Sequence, residues 1–214
     1  MSIMGMIDLR LGDCLDILPT LEAGSVDAVI TDPPYGVQVA GWDTEIPPQE
    51  VLDHCLRISR GPVLWFGAAS VRCIAPTMEY DPKPDRMIVW SIPFSLAKTG
   101  AHGMYYRWHP IWCWNLPPKH NGKEPWKDVI ECSLPGKRDW WFHPGTKPDK
   151  LMDLLVKAWG GNSVLDAFMG SGTTGVSCIK AGCSFTGIDN DPDSYAIAEK
   201  RIAEAQMQPR LEGI

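Results

Sequence analysis

Ser163-Val164-Leu165-Asp166-Ala167-Phe168-Met169-Gly170-Ser171-Gly172-Thr173-Thr174-Gly175 is the stretch whose reading decides the fold. Residues 163–166 have the length and composition of a buried strand, and the run stops at an acid and a glycine-rich turn. Residues 171–181 read as a helix closed by Gly182, and residues 184–189 as a second strand. Asp191-Pro192 supplies an N-cap and a proline at the first helical position of a helix reaching about residue 206. Strand–helix–strand–helix order predicts an α/β fold with a doubly wound, mostly parallel sheet. In such a sheet ligands sit beyond the carboxyl ends of the strands. Glycines there let the backbone approach a ligand closely, and free N–H groups at a helix start suit an anion.

Working outward, residues 148–159 carry apolar positions at helical spacing and end at Gly160-Gly161. Near the other end of the chain, residues 7–11 read as a strand, followed by Gly12-Asp13-Cys14 and a short helix over 15–18. Residues 26–31 are a further strand that runs into Asp32-Pro33-Pro34-Tyr35-Gly36. Pro33 and Pro34 each hold φ near about −65° and remove two donors in succession, so the strand cannot continue. What remains is a rigid corner with one carboxylate, free carbonyls and one ring. An ordinary strand-ending turn has the same composition, so the corner alone does not settle its purpose. Residues 37–48 read as a loop, 49–59 as a helix, 63–66 as a buried strand, and 71–78 as a helix broken by Pro76. Residues 87–90 and 111–114 look like strands, after which residues 115–145 lose all periodicity and form an irregular insertion.

At 214 residues the chain is expected to be a single domain with one sizeable core. No apolar run approaches the ~20 residues of a membrane helix, and the first residues lack the pattern of a signal peptide, so no membrane partner and a cytoplasmic location are expected. Seven cysteines with no C-x-x-C pair argue against a disulfide framework and a structural zinc site, and no metal is expected. The net charge of −6 discourages nucleic-acid binding by the chain as a whole. Residues 115–150, however, hold seven Lys and Arg against five Asp and Glu, a locally basic segment on an acidic body. Seven of the ten tryptophans fall between Trp90 and Trp141; packing explains most of them, with one or two rings left to face a nucleic acid.

Three ligands compete for the glycine turn. A phosphate loop fails, because no Lys-Ser/Thr follows the glycines. A dinucleotide fits the literal G-x-G-x-x-G, with Asp189 nineteen residues after Gly170 placed to accept ribose hydroxyls. Against it, only one strand follows the turn. S-adenosylmethionine fits the longer pattern D-x-F-x-G-x-G of residues 166–172. Taken with Asp32-Pro33-Pro34-Tyr35, Leu11-Gly12-Asp13-Cys14-Leu15, Phe142-His143-Pro144-Gly145-Thr146-Lys147-Pro148 and Gly187-Ile188-Asp189, the chain resembles the DNA amino-methyltransferases, the N6-adenine and N4-cytosine enzymes, in circularly permuted motif order. The resemblance covers about residues 7–70 and 142–205. Where the family commonly has H-P-T-Q-K-P this chain has Gly145-Thr146, and near His109 a proline, Pro110, replaces the family's acid.

The resemblance implies a circularly permuted S-adenosylmethionine-dependent methyltransferase fold, with residues 115–145 as a short target-recognition region for double-stranded DNA. It implies catalysis by Asp32, Pro33, Pro34 and Tyr35, the first two accepting the two N–H groups of a target amine while Tyr35 stacks on the flipped base. It implies cofactor contacts from Asp13, Lys147, Asp166, Phe168, Gly170, Ser171, Gly172, Thr173 and Asp189. DNA contacts are expected from Tyr35, Arg107, Lys119, Lys123, Lys127, Lys137 and Arg138. An acid at position 32 favours site-specific transfer to adenine N6 in this resemblance. Cytosine N4 and a non-catalytic nucleic-acid-binding module are the alternatives, and a homodimer is compatible with the family.

Overall fold

A computed structural model of the chain describes residues 5–36, 45–93, 107–117, 127–134 and 146–207. Its strands are β1 (Ile7–Leu11), β2 (Ala28–Thr31), β3 (Val63–Phe66), β4 (Arg86–Ser91), β5 (Trp108–Trp114), β6 (Val129–Glu131), β7 (Ser163–Asp166) and β8 (Ser184–Asp189). The helices are α1 (Cys14–Ile17), α2 (Gln49–Ile58), α3 (Val71–Thr77), α4 (Asp149–Trp159), α5 (Thr173–Ala181) and α6 (Pro192–Met207). Every residue of β2 and β3 is buried, as continuous apolar strands covered on both faces require.

The strands form one eight-stranded sheet in the order β1-β8-β7-β2-β3-β5-β4-β6. All neighbours run parallel except β5, which is antiparallel to both β3 and β4. From β7 the chain passes through α5 to β8 on one side, while from β2 it passes through α2 to β3 on the other. The winding therefore reverses between β7 and β2, where Ala28 and Val29 pair with Val164 and Leu165. This is the switch point at which a doubly wound sheet opens a crevice. The first and last strands of the chain, β1 and β8, are neighbours, with Leu11 opposite Asp189.

Alternate residues of the strands feed two cores. Ile30, Leu64, Phe66, Val164 and Phe185 pack with Leu155, Val156, Ile179 and Ile202 of α4, α5 and α6. Val29, Val63, Trp65, Leu165 and Ile188 pack on the opposite face with Val51, Leu52, Cys55 and Ile58 of α2. Trp90, Trp112 and Trp114 are buried, and the indoles of Trp90 and Trp114 donate to the carbonyls of Cys132 (2.8 Å) and Pro82 (2.7 Å). Those three rings are packing elements, whereas Trp108 is exposed; Trp126, Trp140 and Trp141 lie outside the described residues.

The structure corrects the sequence reading at three places. The segment 115–145 is not wholly irregular: β6 lies inside it and pairs in parallel with β4, Val89 opposite Val129. Three residues of which only Ile130 is buried are too short to show a period, and only the edge of β4 gives them partners. Pro76 does not break α3; it sits in the last turn, where Met78 N still reaches Ile74 O at 3.0 Å. Helix α5 begins at Thr173 rather than at residue 171, because Gly172 adopts φ 78° as its N-cap.

Gly172 also explains part of the glycine pattern without a ligand. A Cβ there would lie 2.9 Å from Ala198 Cβ and 3.0 Å from Ala198 Cα on α6. A Cβ at Gly175 would lie 2.5 Å from Ile202 Cδ1 and 2.8 Å from Phe185 Cε1. Two of the three glycines thus let α5 pack closely on α6 and β8. Gly172→Ala combines a left-handed backbone with a backbone clash, and we expect it to destabilise the protein by about 2 kcal/mol or more. Urea unfolding checks this, and an unchanged midpoint would contradict it.

Candidate active site

The carboxyl ends of β2, β7, β8 and β1 meet along one edge of the sheet, and Thr31, Asp32, Asp166 and Asp189 stand there. Asp166, the last residue of β7, is 2% exposed. One of its oxygens accepts from Thr31 Oγ1 (2.8 Å) and Phe168 N (3.1 Å), and the other from Thr174 Oγ1 (2.7 Å). Thr31 Oγ1 in turn accepts from Ala167 N at 3.2 Å. The carboxylate ties β2, β7 and the first turn of α5 together. Its work is to hold the switch point closed, although it forms part of the cavity wall.

Above this knot lies a cavity of about 380 Å³, within the usual range of small-molecule sites. Asp32, Pro34 and Lys147 form one side; Phe168, Gly170, Ser171, Thr173 and Asp189 form the other. The two motifs that lie far apart in sequence face the same space. Asp189 Oδ2 accepts from Gly170 N (2.7 Å) and Oδ1 from Asp191 N (2.9 Å), which fixes the glycine turn to the end of β8. Phe168 is held edge-on against Trp65, ring centroids 6.4 Å apart.

At the proline corner the Asp32 carboxylate is engaged on both oxygens. Tyr35 OH donates to Oδ1, and Lys147 Nζ forms an ion pair with Oδ2. The Lys147 ammonium also lies 5.7 Å from the Tyr35 ring centroid and 5.5 Å from that of Phe66. Lys147 therefore meets the proline corner directly. His109 on β5, a neighbour not singled out from the sequence, stacks on Trp90 and makes a 3.2 Å hydrogen bond from Nδ1 to Gly67 O. Burial, with the nearby Lys147 charge, lowers its pKa, so it stands there as neutral imidazole with Nε2 as acceptor. Cys14 is buried and its thiol is pushed up to about 12, mainly by burial, which suits a packing role and not a nucleophile.

The remaining expected residues are placed as follows. Asp13 is exposed, caps α1 by accepting from Leu15 N at 2.9 Å, and is not part of the cavity wall. Its neighbour Gly12 does donate from its N–H to Asp189 O at 2.9 Å, so β1 delivers it beside the end of β8. Arg107 is exposed at the start of the antiparallel β5, hence on the same edge as the corner, and it bonds to Pro93 O. Lys127 stands beside β6, four strands from β2, about 19 Å away at the usual strand spacing, and cannot touch a base held at Asp32. Lys119, Lys123, Lys137 and Arg138 lie outside the described residues. Sequence reasoning missed Arg201 and Thr146. Arg201 Nη1 donates to Ser171 O and Oγ, and Thr146 Oγ1 lies 3.1 Å from Ser171 Oγ. One is an arginine on a helix with no distinguishing periodicity; the other stands where the family pattern was broken.

Among the described residues no cluster of three His, Cys, Asp or Glu could hold a metal, and no helix is long and apolar enough to cross a membrane. A family model described as DNA methylase, covering N6 and N4 enzymes, matches residues 104–200. The Type II methyltransferase M2.DpnII of Streptococcus pneumoniae is 38% identical over 93 residues, which is 42% of this chain and 35% of that protein. The chain thus matches about a third of the length of that relative. The crystal structure of the M1.HpyAVI–SAM complex superposes with TM-score 0.66 at 23% identity, over 92% of this chain and 99% of that one. The PvuII DNA methyltransferase, specific for cytosine N4, superposes with TM-score 0.67 at 16% identity, over 94% and 92%. These superpositions establish the α/β methyltransferase fold.

The buried Asp166 carboxyl has a testable pH signature. Burial raises its pKa from 3.8 to about 6, against the lowering effect of its three hydrogen bonds. The folded protein keeps this proton to a higher pH than the unfolded chain does. The group's contribution to stability is therefore full below about pH 4 and is lost as the pH rises through 6, a change of about 3 kcal/mol. Relative to Asp166→Asn, the wild type should lose that amount between pH 4 and 7 in urea unfolding. A difference independent of pH would contradict the assignment.

Proposed function

We propose that the chain is a DNA amino-methyltransferase, a reading supported by the DNA methylase model matched over residues 104–200 and by the methyltransferase fold, and that it transfers a methyl group from S-adenosylmethionine to the N6 amine of adenine at specific sites in double-stranded DNA. The observation that carries this reading is the shared cavity: Asp32 and Pro34 face the Gly170–Thr173 turn and Asp189 across the switch point. The cavity chemistry fits the cofactor. Asp189 places a carboxylate on the cavity wall where ribose hydroxyls would need an acceptor, Phe168 and Gly170 wall the methionine side, and the start of α5 suits a carboxylate. Bound there, S-adenosylmethionine supplies an electrophilic methyl on a sulfonium.

The chain's own residues do the rest by positioning and electrostatics. An exocyclic adenine amine is a weak nucleophile because its lone pair is delocalised into the ring. It has two N–H donors, and the Asp32 carboxylate with the Pro33 carbonyl offers two acceptors on a backbone that the prolines hold rigid. Tyr35, tied by its hydroxyl to Asp32, presents its ring to a base drawn out of the duplex. Stacking of about 1–3 kcal/mol per base offsets part of the unstacking cost. No covalent nucleophile is required, consistent with the buried Cys14. The neighbouring β1 and β8 support the permuted motif order, since the adenosine-side and ribose-side segments meet there. Residues 115–145, with Arg107, are the proposed recognition surface of a single-domain enzyme, and a homodimer is part of the same family-based reading.

Cytosine N4 is the second reading, because the same two acceptors serve any exocyclic aryl amine. Duplex DNA of varied sequence, incubated with methyl-labelled S-adenosylmethionine and digested to nucleosides, separates the readings. N6-methyladenine is expected; labelled N4-methylcytosine would overturn the base assignment, and no label would favour a binding module. Asp32→Ala should lower transfer by at least about 100-fold while leaving cofactor affinity within a few-fold. Retained activity would remove Asp32 from the mechanism.

A further inference from the structure

Arg201, on α6, is three-quarters buried and reaches under the glycine turn. Its Nη1 donates to Ser171 O (2.6 Å), Ser171 Oγ (2.9 Å) and Thr173 Oγ1 (3.1 Å), and its Nη2 lies 3.5 Å from Asp149 Oδ1. Ser171 and Thr173 line the cavity, whereas Arg201 does not. A guanidinium has donors only, so both hydroxyl oxygens act as acceptors toward it. Their own hydrogens must then point elsewhere. Thr173, on the first turn of α5, and Ser171 both border the cavity, so their hydrogens can be offered to a ligand there; for Ser171, Thr146 Oγ1 at 3.1 Å is a competing partner.

We propose that Arg201 is a positioning residue that orients the Ser171 and Thr173 hydroxyls as donors toward the anionic, amino-acid end of the cofactor. The proposal rests on the cofactor reading given above. It assigns Arg201 a directional function beyond packing α6 on α5. Without the guanidinium, either hydroxyl is free to turn and donate to a local carbonyl, and two donors to the ligand carboxylate are lost. The adenosine side of the ligand, served by Asp189 and β8, does not depend on Arg201.

Calorimetric titration of the full chain with two ligands tests this. S-adenosylmethionine carries the carboxylate, and 5′-methylthioadenosine lacks the amino-acid end. Arg201→Gln should weaken S-adenosylmethionine binding about tenfold or more while changing methylthioadenosine affinity less than twofold. Ser171→Ala/Thr173→Val should produce the same selective loss, and adding Arg201→Gln to it should cost little more. Asp149→Asn, which removes the carboxylate charge paired with Arg201 and Lys180 but leaves the guanidinium in place, should bind both ligands as the wild type does. Equal weakening of both ligands by Arg201→Gln would reduce Arg201 to a structural residue and overturn the proposal, as would no weakening of either. Failure of the wild type to bind S-adenosylmethionine would instead overturn the cofactor reading, and the proposal with it.

Discussion

The buried Asp166 carboxylate is the constraint on which the site depends. It accepts hydrogen bonds from Thr31 on β2, from Phe168 N beyond β7 and from Thr174 on α5. Those three elements leave the switch point in different directions, and no backbone ladder joins them beyond the Ala28–Val29 register with β7. A carboxylate with two oxygens and about four acceptor sites can bind all of them at once, which a neutral side chain of that size cannot. The energetic tension is visible in its raised pKa, where burial outweighs the hydrogen bonds. A group that costs this much to bury holds the proline corner and the glycine turn at a fixed separation.

Around that knot, each half of the cavity is stiffened from behind. The glycine turn is tied to β8 by Asp189 and to α6 by Arg201, while Gly172 and Gly175 bring the helices close enough for those contacts. The corner is stiffened by its two prolines and by the Tyr35 and Lys147 contacts to Asp32. The proposed transfer needs this arrangement, because a weak nucleophile gains its rate from how closely the site defines its approach. The Lys147 ion pair adds a local consequence: on the proposed reading, an incoming amine would meet a carboxylate already partnered by a cation.

Much of the architecture is legible in the sequence. The buried runs 63–66, 163–166 and 184–189 carry their own boundaries, since apolar β-branched residues stop at glycine, acid or proline on both sides. Asp191-Pro192 marks the start of α6 for the same local reason, its carboxylate accepting from Ser194 N at 3.1 Å. Strand β6 was not legible, because three residues on a sheet edge owe their conformation to β4 alone. Nor was the helical course of α3 through Pro76, where position in the last turn, not residue type, decides the outcome.

The sequence by itself determined the kinds of chemistry present: a rigid acid–proline corner, a glycine turn opening a helix, and an acid ending the next strand. Those follow from local backbone physics, which acts over a few residues. Which elements each of the acids ties together was decided only by tertiary structure. Asp166 and Asp189 look alike as strand-ending carboxylates and both border the cavity, yet one is enclosed by three donors that join β2, β7 and α5, while the other fixes the glycine turn to the end of β8. Lys147, Arg201 and Thr146 took their roles the same way, by burial and contact across more than twenty residues of chain, which no local pattern encodes.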